Sequence, residues 1–107
     1  MNEELEMICF QIISNSGSAK SNYIEAIQRA KSGKYEEAEK LMEEAEEMFL
    51  QAHKIHSELI QKEACGEKTN FSILLMHSED QMASTELSKV MAREIIELHK
   101  EIDSLKK

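Results

Sequence analysis

Apolar and small residues recur at Leu5, Cys9, Ile12, Ser16, Ala19, Tyr23, Ala26 and Ala30, in alternating steps of four and three. A second series with the same alternation runs through Tyr35, Ala38, Met42, Ala45, Phe49, Ala52, His56 and Leu59. A period of about 3.5 residues is that of near-parallel helices packing knobs into holes. Gly33 in "AKSGKYEEA" and Gly66 in "EACGEKTNF" stand where the periodicity stops and restarts, the places for helix C-caps. Thr69 or Asn70 is placed to cap a third helix. The pattern predicts helices over 3–31, 35–64 and 70–106, each about 45 Å long at ~1.5 Å per residue. Short connections make consecutive helices antiparallel, so the predicted fold is an all-α, up-down-up three-helix bundle. Gly17 falls inside the first helix, in the weak helix-forming stretch "SNSGS", and marks either a kink or the close approach of a neighbour.

The third segment is too apolar for one seam. Ile73, Leu74, Leu75, Met76, Met82, Ala83, Leu87, Val90, Met91, Ala92, Ile95, Ile96, Leu98, Ile102 and Leu105 cover more than one stripe. A helix that is greasy on several faces is surrounded by others, and three helices cannot surround one of their own number. Helix two adds a secondary row at Leu41, Met48 and Ile55. The pattern therefore implies a homo-oligomer with helix three nearest the symmetry axis.

Composition agrees. The chain has 107 residues, a length for one domain spanning 1–107. It has no Pro, three Gly, two Tyr and three Phe, a balance that disfavours sheets. A formal charge of −8 excludes a nucleic-acid binder, which needs a basic stripe, and does not suit an anionic membrane. Residues 34–65 hold nine acidic and four basic side chains, which make either a solvated helix face or an acidic rim for a basic partner. Cys9 and Cys65 form no metal or redox spacing, and free thiols fit a reducing cytoplasm. The N-terminal "MNEELEM" has the wrong sign for a signal peptide, and no apolar run approaches the ~20 residues that span a bilayer.

Against this background "SILLMHSEDQMAST" (72–85) stands out. Residues three, four and seven apart share a helix face, so His77, Asp80, Gln81 and Ser84 form one polar stripe while Glu79 points elsewhere. Buried polar groups are unfavourable unless paired, so the stripe needs a reason. One reason is structural: a satisfied core histidine with an Asp partner that sets oligomer register. Another is chemical: an unperturbed imidazole titrates at about pH 6.5, leaving one nitrogen free to attack at neutral pH. A carboxylate at i+3 or an amide at i+4 could then hold the other nitrogen. A metal site is a third reading, in which symmetry multiplies one His and one Asp. His53 and His56 in "AHKIH" read as packing residues, with His56 as a candidate neighbour of His77 across the bundle, and His99 as an edge residue.

"SGSAKSNYIEAIQRAKSGKYEEAEKLMEEA" (16–45), "AHKIHSELIQKEACGEK" (52–68) and "LLMHSEDQMAS" (74–84) together resemble the enzyme IIA component of the lactose/cellobiose-type sugar phosphotransferase system. The resemblance runs nearly end to end. It implies a three-helix subunit that trimerises into a nine-helix assembly, with His77 as the phosphohistidine. His77 would receive a phosphoryl group from the phosphocarrier HPr and pass it to a cysteine of the cognate IIB protein, for uptake of a β-glucoside or disaccharide. It further implies that Asp80 from three subunits holds a divalent metal, usually magnesium, on the threefold axis. Three convergent carboxylates repel, and a hard cation with oxygen ligands neutralises them. The expected reacting atom is Nε2 of His77 in a shallow cleft between subunits. Leu74 and Met76 would exclude water there, and Gln81 would donate to the phosphoryl oxygens.

The sequence departs from the family pattern at Ser78, where Ala is usual, and at His56, where Gln is frequent. Neither change touches His77, Asp80 or Gln81. Two other readings compete: a helical binding module that does no chemistry, and a purely structural coiled-coil trimer in which the stripe only sets register. "KSGKYEEAEKLMEEA" also resembles a helix pair of a tetratricopeptide repeat or of a microtubule-interacting-and-trafficking domain. No self-similarity near the ~34-residue repeat length appears, and a binding module leaves the polar stripe unexplained.

Overall fold

Positive φ angles stop the first two helices where the glycines stand, at 77° for Gly33 and 96° for Gly66. The Gly33 N–H donates to the Ala30 carbonyl at 3.0 Å and the Lys34 N–H to that of Arg29 at 2.9 Å. Gly66 and Glu67 repeat this pair of bonds onto Glu63 and Lys62, each at 3.1 Å. The arrangement satisfies carbonyls that a helix end leaves open, and a residue without a Cβ adopts it without strain. The computed structural model describes residues 3–106. It comprises α1 (Glu3–Lys31), α2 (Tyr35–Ala64) and α3 (Ile73–Leu105).

Helix α3 begins three residues later than the pattern predicts. Its N-cap is Ser72, not Thr69 or Asn70: Ser72 is extended (φ −158°, ψ 162°), and its Oγ accepts from the Leu75 N–H at 3.1 Å. The start coincides with the first apolar anchors, because Leu74 and Leu75 pack against Leu5, Cys9 and Leu59. Local cap chemistry is available at all three residues, and burial selects the last.

The molecule is a rod of 59 × 20 × 20 Å. Helix α1 packs along both others, whereas α2 and α3 barely meet. Every residue of the predicted α1 seam is buried. In α2, Ala38, Met42, Ala45, Phe49, Ala52 and Leu59 are buried, with Tyr35 and His56 half-covered at positions of the same seam. Among the described residues no helix is long and apolar enough to cross a membrane.

Helix α3 departs from the apolar count. Its buried residues are Ser78, Met82, Thr85, Ala92 and Ile96. Ile73 (85% exposed), Leu87 (63%) and Leu105 (84%) lie outside with Val90, Met91, Leu98 and Ile102. The buried polar groups are paired: the Thr85 hydroxyl donates to the Ser16 carbonyl at 3.0 Å, and that of Ser78 to the Leu75 carbonyl at 2.7 Å. The Ser16 hydroxyl donates to Met82 Sδ at 3.2 Å. The chain thus buries a small, polar seam of α3 and leaves an apolar face uncovered.

Long side chains bridge the gap between α2 and α3. Lys89 reaches Glu46 at 2.6 Å, and Arg93 grips both oxygens of Glu39 at 2.5 and 3.0 Å. Lys89, Glu46 and Arg93 line a cleft of about 430 Å³ whose wall also includes the buried Tyr23 and Met42 and the exposed Val90. Nearer the rod's end the Tyr35 hydroxyl donates to Asp103, which pushes the phenol up to about 12. Burial is the main cause that raises Tyr23, with Glu46 adding to it. Hydrogen bonds from Arg93 hold the Glu39 carboxyl below its ordinary value of 4.5.

A carboxylate with a depressed folded pKa stabilises the fold above its unfolded value and ceases to do so as pH falls through the folded one. The groups are substantially solvated, which screens the pair. Glu39→Gln is therefore expected to lower stability at neutral pH by only ~0.2–1 kcal/mol. The difference from wild type should shrink as pH drops below 4.5, in urea melts compared at neutral and acid pH.

Candidate functional site

The rotation of α3 is set by its small buried residues. With Ser78, Met82 and Thr85 turned inward, the stripe of His77, Asp80, Gln81 and Ser84 comes to the surface. His77 and Asp80 are exposed, while Gln81 and Ser84 are half-buried beside α1. Lys20 of α1 donates to Ser84 Oγ at 2.7 Å, and the Ser88 hydroxyl donates back to the Ser84 carbonyl at 2.9 Å. The Gln81 carboxamide lies against Gly17, so Gly17 marks a close approach, within an unbroken helix.

Two sequence-based expectations are corrected here. His77 is not a buried histidine satisfied by Asp80 within the chain, because both side chains face solvent. Nor does Asp80 or Gln81 hold a ring nitrogen of His77 among the described residues. His56 pairs with a different residue of α3. Its Nε2 lies 2.7 and 2.8 Å from the two oxygens of Glu79. Glu79 is two residues from His77, about 200° around the helix, and so faces α2. The antiparallel register that pairs Glu46 with Lys89 also brings His56 to Glu79. That register is the signal by which the pair could have been found.

The remaining candidates separate by environment. The exposed His53 packs edge-on against Phe49, with ring centroids 6.4 Å apart at 62°. His99 is half-buried on α3. Ser78 and Cys9 are both buried, and burial pushes the Cys9 thiol up although the Ser78 hydroxyl opposes this. Cys65 is exposed after α2. Among the described residues no group of three or more His, Cys, Asp or Glu, with or without Asp80, is placed to hold a metal.

His77 therefore presents an imidazole on an open surface, with an amide and a hydroxyl on the same stripe. The cleft between α2 and α3 does not include it. Such a group suits a reaction in which the second reactant arrives on another macromolecule rather than inside a pocket.

Comparison with known proteins bears on this directly. The family model for the lactose/cellobiose-specific IIA subunit of the phosphotransferase system matches residues 7–100. The lichenan-specific phosphotransferase enzyme IIA component of Bacillus subtilis (strain 168) is 48% identical over 102 residues, which cover 95% of this chain and 93% of that one. The crystal structure of the cellobiose-specific enzyme IIA from Bacillus anthracis superposes with a TM-score of 0.93 at 44% identity, covering 97% of this chain and 95% of that one. The chitobiose IIA of Escherichia coli, solved in complex with HPr, gives a TM-score of 0.81 at 30% identity, covering 95% and 99%.

The Ser72 cap sets the start of the helix that carries the stripe. Ser72→Ala should lower stability by ~1 kcal/mol. The same change should speed amide exchange at Leu75, whose N–H loses its acceptor, more than at Ala92 in the middle of α3.

Proposed function

The chain belongs to the lactose/cellobiose-type enzyme IIA family, and on that premise we propose that His77 is the residue that carries its phosphoryl group. The protein is a phosphocarrier of the sugar phosphotransferase system, serving uptake of lactose/cellobiose-type disaccharides through a phosphohistidine. This membership sets aside the tetratricopeptide-like and trafficking-domain-like readings. The observation that carries the assignment is that His77 is exposed on one polar stripe with Asp80 and Gln81, whereas His56 is held by Glu79 and the exposed His53 lies against Phe49, off that stripe.

In this reading the whole of 1–107 is one domain that works in the cytoplasm between two protein partners. HPr is the donor, as suggested by the Escherichia coli relative solved with it. The Nε2 lone pair of His77 attacks phosphorus in line, the N–P bond to the HPr imidazole breaks, and the phosphoryl group stays on His77. A cysteine thiolate of the cognate IIB then attacks the same phosphorus, forming an S–P bond as the His77 imidazole leaves. Little covalent work falls to the chain, so positioning and neutral donors around the dianion carry catalysis. Gln81 supplies an amide on the same face, and Leu74 and Met76 flank His77 with apolar surface that limits hydrolysis.

The uncovered apolar face of α3 supports a homotrimer. Leu87 lies seven residues beyond Asp80, and Met91, Leu98 and Leu105 follow at seam spacing, so Asp80 lies in line with exposed apolar residues. Three copies that bury this face would bring three Asp80 carboxylates together. Asp80 is exposed and free of any ion pair among the described residues, and its hard oxygens suit a divalent cation such as magnesium. The metal would neutralise these charges and hold the subunits together.

Incubation with radiolabelled phosphoenolpyruvate, enzyme I and HPr should give an acid-labile label on wild type and on His56→Ala, and none on His77→Ala. Label retained by His77→Ala would overturn the assignment. A chelator should lower the melting temperature of the trimer. Asp80→Asn should remove that sensitivity, and sedimentation would report the assembly state.

A further inference from the structure

We infer that Gly17 is a positioning residue for the phosphoryl site: lacking a Cβ, it seats the Gln81 carboxamide against α1, one turn along α3 from His77. The inference rests on the reading of His77 as acceptor and Gln81 as donor. A glycine in a helix interior weakens the helix, so its presence asks for a reason. The backbone supplies none, because only Gly33 and Gly66 have positive φ among the described glycines, and α1 is unbroken through Gly17. The reason lies across the interface. A Cβ on Gly17 would stand 3.1 Å from Gln81 Nε2, tighter than an ordinary van der Waals contact.

The two backbones cannot easily part to make room. Thr85 Oγ1 donates to the Ser16 carbonyl at 3.0 Å, Ser16 Oγ to Met82 at 3.2 Å and Lys20 Nζ to Ser84 at 2.7 Å. These bonds lie on either side of Gly17 along α1 and within one turn beyond Gln81 along α3, so the end of the Gln81 side chain, rather than the backbones, is what gives way. Among the described residues no hydrogen bond within the chain holds that carboxamide. Its place is set by shape, and its N–H donors remain available to phosphoryl oxygens. An added methyl at 17 would thus favour the helix and disfavour the chemistry, two effects of opposite sign.

The test is a double-mutant cycle on phosphoryl transfer from phospho-HPr, with stability by urea melting and assembly by sedimentation. Misplacing or deleting a donor at a transferring group slows transfer on the order of ten-fold or more. Gly17→Ala should show that loss with stability equal to or above wild type, and with a shifted Gln81 side-chain amide resonance. Gln81→Ala should show a similar loss, and the double variant should be no slower than Gln81→Ala alone. Wild-type transfer by Gly17→Ala, with Gln81→Ala slow, overturns the role of Gly17. A Gly17→Ala loss of the same size in the Gln81→Ala background, including one caused by failed assembly, also overturns it. Wild-type transfer by Gln81→Ala removes the donor role of Gln81 and this inference with it. In that case the absence of label on His77→Ala would still uphold His77 as the acceptor.

Discussion

Everything at the site depends on how α3 is rotated about its own axis. That rotation is set where α3 lies against α1, by residues too small to be conspicuous: Ser16 and Cys9 on one side, Ser78 and Thr85 on the other. All four are fully buried, and the Thr85 hydroxyl spans the interface to the Ser16 carbonyl. A buried hydroxyl tolerates little slippage, because losing its partner leaves a polar group unsatisfied. A rotation of α3 by one residue, about 100°, would strand Thr85 and carry His77 out of its open position.

The price of this arrangement is an exposed apolar face. A helix can turn one stripe to α1, and α3 turns its polar, small-residue stripe there. Its bulky residues, Leu87, Val90, Met91, Leu98 and Leu105, are left for something else to cover. Contiguous apolar surface of this kind is unusual on a monomer and marks an interaction face. Asp80 lies in line with that face and Gln81 beside α1, so the polar stripe sits on the boundary between intrachain packing and the uncovered surface.

The helices were readable from spacing alone because their seams follow one period through α1 and α2, residue by residue. The same period also runs through Ser78, Met82, Thr85, Lys89, Ala92 and Ile96 in α3, where three polar side chains conceal it from a search for apolar residues. An apolar count spreads over several faces of α3, because Met82, Ala92 and Ile96 of the inner seam are outnumbered by bulky residues outside it. The start of α3 was misplaced for a related reason: three residues could serve as caps, and the choice was made by Leu74 and Leu75 reaching the core. His77, Asp80 and Gln81 were legible as one stripe, but their exposure was not, since it depends on which side of α3 meets α1. Glu79 was legible only as turned away, because its partner His56 requires the antiparallel register of α2 and α3.

The placement of the stripe follows a mechanical logic. Helix α3 faces its two neighbours through different media. Against α2 it is separated by a cleft and joined by long, solvated side chains such as Arg93 and Lys89, whose geometry is soft. Against α1 it is packed through hydroxyls and small residues at short range, where displacement has an immediate energetic cost. In-line phosphoryl transfer needs its nucleophile held to fractions of an ångström while the partner protein comes and goes. His77 stands within one residue of the buried Ser78, and Gln81 next to the buried Met82. The polar stripe therefore sits directly beside the close-packed interface with α1, away from the ion-bridged cleft on the α2 side.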